Sequence, residues 1–266
     1  MAENSIRHWQ SMTTVDAGRA AERDPVVILP LASIEQHGPH LPLSTDLDIG
    51  MGLLASAFRR LPDDFPAWVL PAQAVGSSRE HMRFSGTLSL DPEILSTVIH
   101  QYGLALAGCG VRRLLLSNSH GGNRAVLGTA GLRLREERGL LVVKVNYFDL
   151  PRPDGLDLAE SEWRHGLHGG AVETAMMLHL RPDLVRTGEI RDAPAFGEEL
   201  ERTMRRLSAE GTVSFSWLAD DLNRSGVVGD ARQADAAKGE RLVAHYGAAL
   251  ADVIRDVRAF PLDRLV

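Results

Sequence analysis

The sequence predicts an α/β fold: a three-layer α/β/α sandwich with a mostly parallel central sheet, one domain over residues 1–266. Three observations carry this. Short apolar runs rich in β-branched residues alternate with longer segments of helical period. Each connection between runs is long enough to hold a helix, as parallel pairing requires. The runs are apolar throughout, as strands covered on both faces are.

In chain order, "PVVILPL" (25–31) is the first strand. "LDIGMGLLASAFRRL" (47–61) has helical spacing, with Ser44 or Thr45 as N-cap. "AWVLPAQAVG" (67–76) is a strand running into a loop, and 78–91 has turn chemistry without a period. A helix over 91–110 starts with Asp91 as N-cap and Pro92 at its first position. "RRLLLSN" (112–118) is a strand, 123–139 a helix stopped at Gly139, and "LLVVKVNYF" (140–148) a strand. A helix over 169–180 stops at "RPDL". A polar stretch follows to about 235, and an amphipathic helix over 234–257 closes the fold. No repeat, low-complexity tract or linker interrupts this order.

Hydrophobic residues make up 44% and charged residues 24% of the 266, a composition suited to a packed core. A net charge of −6 with scattered Lys and Arg excludes a nucleic-acid footprint. No apolar run reaches the roughly 18 residues of a membrane span. The start "MAENSIRHWQ" lacks a signal-peptide pattern, and Cys109 alone can form no internal disulfide. A cytoplasmic protein acting on a small molecule, with no nucleic-acid or membrane partner, is expected.

The chemistry-bearing residues follow strands or open helices, where ligands bind in parallel sheets. "SIEQHGPHLPLSTD" (33–46) brings Glu35 and His37 to one side of an extended segment. Asp46 falls near the start of the next helix, where an ionised carboxylate is favoured. "SNSHGGN" (117–123) puts His120 at a strand tip, with Gly121 and Gly122 allowing close backbone approach and Asn123 beside them. "HGLHGGAVET" (165–174) adds His168 and, in a first helical turn, Glu173. A helix-entry hydrogen-bond network could use the same residue types. Unpaired, however, such carboxylates would repel in a cleft, and a divalent cation removes that cost. Glu and Asp oxygens with His nitrogens suit Zn²⁺, Mn²⁺ or Fe²⁺. The three negative charges of Glu35, Asp46 and Glu173 balance two dications and one bridging hydroxide, so two metals per subunit are expected, with Asp46 as bridge. If Glu173 is a base rather than a ligand, one metal suffices. Two metals roughly 3.5–4 Å apart suit hydrolysis of an amide-like or ester-like bond. His168, if it binds no metal, could protonate the leaving atom. His40 is expected to orient a ligand or serve the fold. His81 could contact substrate or shape its loop.

"LPLASIEQHGPHLPLSTD", "SNSHGGN" and "HGGAVETAMMLHLRPDLV" resemble the three signatures of the creatininase (creatinine amidohydrolase) family. "EHMRFSGTLSL" and "GVVGDARQADAAKGERL" are similar to its weaker blocks, so the resemblance spans most of 25–245. It implies the α/β/α fold, a divalent-metal amidohydrolase and a homo-oligomer, often a hexamer. Residue by residue it implies Glu35, His37, Asp46 and His120 as metal ligands, His168 beside the substrate, and Glu173 as ligand or acid. The reaction implied is cleavage of a C–N bond in a small cyclic amide or formamide-like substrate by a metal-activated hydroxide. Lactone or peptide hydrolysis at the same site, or a non-catalytic binding role, are the alternatives. Two departures bear on substrate: Gly122 stands where creatininase carries a Glu, and Phe148 where it has a tryptophan.

Overall fold

The computed structural model describes residues 6–265. The first helix, α1 (Thr14–Glu22), was not expected from its period. It starts at a capping box: the Thr13 hydroxyl accepts from the Asp16 N–H while the Asp16 carboxylate reaches back to Thr13. Then come β1 (Val26–Leu31), α2 (Thr45–Phe58), β2 (Ala67–Val69), α3 (Pro92–Gly108), β3 (Arg113–Asn118), α4 (Arg124–Arg138) and β4 (Leu141–Asn146). The strands pair in the order β2-β1-β3-β4, all parallel. Val26 stands opposite Ala67 on one side and Arg113 on the other, and Leu31 opposite Asn118.

Alternation along β1 and β3 splits the core in two. Val26, Ile28 and Leu115 face a cluster with Ile49, Leu53, Met176 and Leu250. Val27, Leu29, Leu114 and Leu116 face a second cluster with Leu95, Ile99, Leu127 and Leu134. Every residue of β1 is buried, because helices cover both sides. The first cluster is supplied by α2, α6 (Ala171–Leu180) and α9 (Ala236–Ala259), the second by α3 and α4, giving three layers.

Capping chemistry sets the helix ends. Gly139 ends α4 with φ 67°, as expected. Asp91 precedes Pro92 but makes no cap bond; its carboxylate lies 3.3 Å from Arg79. Ser44 likewise spends its hydroxyl on Asp48. Helix α2 stops at Phe58, short of the expected residue 61. The polar stretch before α9 is more ordered than its composition suggests. It holds an antiparallel pair of β5 (Asp192–Ala193) and β6 (Gly229–Asp230), with α7 (Phe196–Thr203) and α8 (Ala219–Leu222) between them, while α5 (Glu160–His165) precedes α6. Among the described residues, no helix is long and apolar enough to cross a membrane.

Candidate metal centre

The chain leaves the carboxyl ends of β1 and β3 into loops that converge with the start of α6. Leu31 leads into 32–44, which the Glu35 N–H pins to Leu43 O at 3.1 Å. Gly38, at φ 70°, turns this loop; a Cβ there would lie 2.1 Å from Val227 Cγ2. His120 follows β3. His168 is held against the far segment by paired backbone bonds with Val228. The structure brings Glu35, His37, Asp46, His120, His81, His168 and Glu173 to one place. All but Glu173 are buried, and the Glu173 side chain is 16% exposed.

Backbone carbonyls choose the tautomers. His37 Nδ1–H donates to Glu35 O at 3.1 Å, which leaves Nε2 to point at Asp46. His120 Nε2–H donates to Ser77 O at 2.9 Å, which leaves Nδ1 toward Glu35 and Asp46. His168 Nε2–H donates to Gln36 O at 2.6 Å, freeing Nδ1. His81 differs. The Gln36 amide donates to its Nδ1 at 2.9 Å, so the Nε2–H is the edge that faces Glu35, at 3.5 Å. His81 therefore presents an N–H, not a lone pair, toward a carboxylate. Its ring stacks on His168, which stacks on His37, with centroids 4.2 and 4.1 Å apart.

Asp46 joins the two halves. Its Oδ1 lies 3.3 Å from His37 Nε2, and its Oδ2 lies 3.2 Å from His120 Nδ1 while accepting from the Ser33 hydroxyl at 2.7 Å. Glu35 Oε1 is 3.2 Å from His120 Nδ1, and Glu173 Oε2 is 3.8 Å from His37 Nε2. Among the described residues, buried His37 Nε2 and Glu35 Oε2 have no hydrogen-bond partner. Donors each about 2.1 Å from a tetrahedral ion stand about 3.4 Å apart. The observed spacings match that pattern, and the two orphaned atoms belong to residues of the donor groups. Three donor groups come close enough to hold an ion: Glu35, His37 and His168; Glu35, Glu80 and His120; and His37, Asp46 and Glu173. The residues present fit a divalent metal.

Electrostatics sort the histidines. Burial opposes the His37 imidazolium, but Asp46, with Glu173 and Glu35, outweighs it and lifts the ring to about 9. His120 is likewise raised by Glu35 and Asp46 against burial. Burial and the neighbouring imidazoliums push His168 well down, and burial with His168 pushes His81 down to about 3. Burial, with Asp46 and Glu35 nearby, raises Glu173 to about 7 despite His37 and the Gly169 N–H it accepts at 2.6 Å. His168 is thus neutral, with a lone pair at Nδ1, 3.7 Å from Glu35 Oε1.

The "HGGN" residues have separate places. Gly121 faces open space. Gly122 is crowded: a Cβ there would meet Ser77 O at 2.3 Å, Glu80 Oε1 at 2.4 Å and His120 Nε2 at 2.6 Å. Asn123 is fully buried, and its amide is spent on Ser77 N–H, Ala32 O and Asn118 Oδ1. It ties loops together, and its side chain is not presented to a substrate. His40 Nε2 bonds Gly169 O and Thr174 Oγ1, holding the loop to α6. Phe148 lies under the Arg124 guanidinium, 4.7 Å from its ring centre. Sequence reasoning missed Glu80 and Glu162. The one signal for Glu80 is its place before His81 in "SREHMRF".

A family model described as creatinine amidohydrolase, the creatininase family, matches residues 10–254. A mycofactocin precursor peptide peptidase of Mycobacterium tuberculosis (strain CDC 1551 / Oshkosh) is 37% identical over 243 residues, 88% of this chain and 84% of its own. A creatinine amidohydrolase of Pseudomonas putida is 32% identical over 197 residues, 66% of this chain and 72% of its own. Among solved structures, a manganese form of creatininase matches with TM-score 0.76 at 26% identity, over 94% of this chain and 98% of that one. A mutant creatininase of Zn–Zn type matches with TM-score 0.73 at 25% identity, over 94% and 97%.

Proposed function

The chain belongs to the creatininase family, and we propose that it is a divalent-metal hydrolase of an amide C–N bond. The observation that carries this is the donor spacing around Asp46: two oxygens facing two different histidines at 3.2 and 3.3 Å. Glu35, Asp46 and His120 would hold one ion, and His37, Asp46 and Glu173 the other. Bound there, divalent ions acidify water and polarise a carbonyl.

The chain's own groups supply the rest. His168 accepts the proton of the attacking water at Nδ1 and passes it to the leaving nitrogen. Its Nε2–H bond to Gln36 O fixes the ring in the tautomer this needs. His81 Nε2–H faces Glu35 and holds that carboxylate in place. Gly121, with open space where a side chain would project, leaves room for substrate at the tip of β3.

The favoured substrate is a peptide amide, because similarity to the peptide peptidase is greater and covers more of the chain. A small cyclic amide is the second reading, favoured by the creatinine amidohydrolase match. Metal-loaded protein should be offered short peptides, creatinine, other lactams and lactones, with products read by mass spectrometry. Cleavage of a peptide amide is expected, lost on chelation and in His168→Ala. Purified protein that holds no Zn, Mn or Fe, and gains no activity when they are added, would sink the proposal.

A further inference from the structure

Among the described residues, Glu80 is the one carboxylate of the ion-capable groups that the proposed ligand sets leave unused. It is the middle residue of a single 3₁₀ turn over Arg79–His81, and its side chain is 19% exposed. Burial, with Glu35 and Asp46 nearby, works against its charge. No Arg or Lys pairs with it among the described residues; its ion-pair neighbour is His120, whose Nε2 lies 3.5 Å from Glu80 Oε1. That nitrogen is on the far edge of the ring from Glu35 and Asp46, which both face Nδ1. Ser77 O takes the Nε2–H at 2.9 Å, and Ser78 Oγ stands 3.3 Å away. His120 thus turns Nδ1 to the carboxylate oxygens that could share an ion with it, and Nε2–H to hydrogen-bond acceptors behind.

Gly122 makes this arrangement possible. Any side chain there would collide with both Glu80 Oε1 and Ser77 O, the two acceptors at the back of the ring. A carboxylate at residue 80 and a glycine at residue 122 are therefore sterically matched.

We propose that Glu80 is a positioning residue of the metal centre. With Ser77 O it holds the outer nitrogen of His120, so that Nδ1 is aimed at the ion, and Gly122 is the clearance that admits it. Partners of this kind orient metal-binding histidines, and their loss typically costs about 10–100-fold in metal affinity. The inference rests on the proposed metal site and asks something separate of it.

The test uses Co²⁺ as probe on the full chain. Affinity is read by competition with a chromogenic chelator, and ligand geometry by the visible absorption of the bound ion. Glu80→Gln keeps the size and removes the charge. It should weaken Co²⁺ binding about 10–100-fold and change the absorption bands. The metal-free variant should keep the circular dichroism and thermal midpoint of the parent. Unchanged affinity and spectrum in Glu80→Gln, with normal uptake by the parent, would overturn the role of Glu80 and leave the metal site standing. A parent chain that takes up no Co²⁺ would overturn both.

Discussion

Glu162 is a buried carboxylate, 4% exposed, that accepts from two backbone donors: Ala171 N–H through Oε1 at 2.6 Å and Asp230 N–H through Oε2 at 2.7 Å. Ala171 is the first residue of α6, and the Gly170 before it has no side chain to cap the helix. Glu162 therefore caps α6 from α5 and clamps β6 at the same time. Three glycines make way for it: a Cβ at Gly166, Gly170 or Gly229 would lie 2.4, 2.3 or 2.7 Å from its Oε1. His168 sits between the two clamped segments, paired with Val228. Glu162→Ala leaves one buried and one partly buried N–H unpaired, at about 1–3 kcal/mol each, so about 3 kcal/mol should be lost. Glu162→Gln keeps one acceptor and removes the cost of burying a charge, so about 2 kcal/mol is expected. Urea unfolding of the metal-free proteins measures both. Amide exchange should also quicken around 166–172 and 228–231 in Glu162→Ala. A Glu162→Ala protein within about 1 kcal/mol of the parent, well inside the cost of two orphaned donors, would refute the clamp.

Three further outcomes are expected. Asp46→Asn should bring metal content below one ion per chain by elemental analysis, since both proposed sites draw on this residue; two ions retained would rule out the shared carboxylate. With His37 raised to about 9 and His120 also raised, metal uptake at pH 7 should expel protons, and apparent affinity should climb with pH toward 9. Binding heats that do not vary with the ionisation enthalpy of the buffer would contradict this. Asp24 is partly buried, which opposes its charge, but the Arg113 hydrogen bonds with Arg112 and Arg258 hold its carboxyl below the usual range. A depressed carboxylate stabilises the fold above its unfolded value, and that contribution is lost as pH falls through the folded one. Asp24→Asn tolerates the residue's φ of 54°, should cost about 2 kcal/mol at pH 7, and should remove part of the acid-side fall in stability. An unchanged acid limb in thermal melts would count against the pairing.

The parallel sheet was legible because strands covered on both faces must be apolar throughout, as Val26 to Leu29 and Leu114 to Leu116 are. The convergence of loops at the strand ends was legible for the same topological reason. Short elements were not. Helix α8 and strands β5 and β6 span too few residues to show a period; Arg232–Asp192 and Glu162 tie the two strands in place across the chain, and Arg83–Asp220 ties α8. Helix α1 was missed because it buries only Ala20 and Ala21, too little apolar surface to show a period, although Thr13 and Asp16 have capping-box spacing. Glu80 and Glu162 read as surface carboxylates by type. Only the third dimension reveals the glycines that clear space for them. Asn123 errs in the other direction: its neighbours in "HGGN" suggest a ligand contact, whereas every polar atom of its side chain is already committed inside the protein.

The histidine protonation states bear on how the centre can fold before it holds metal. Two buried carboxylates, Glu35 and Asp46, would be costly side by side without positive charge. In the metal-free chain the positive charge comes from His37 and His120, whose imidazolium forms those same carboxylates favour. A raised His37 contributes stability fully below the unfolded value near 6.5, and that contribution fades as pH rises through about 9. The metal-free fold should therefore weaken over that interval, which is where ion binding strengthens. Protons and divalent ions compete for the same nitrogens and support the same architecture in turn. His81 and His168, held neutral, stay outside this exchange, so His168 keeps its lone pair whichever cation is present. Melting curves with and without Zn²⁺ across pH 6.5 to 9 should diverge as pH rises; parallel curves would mean the ion binds elsewhere.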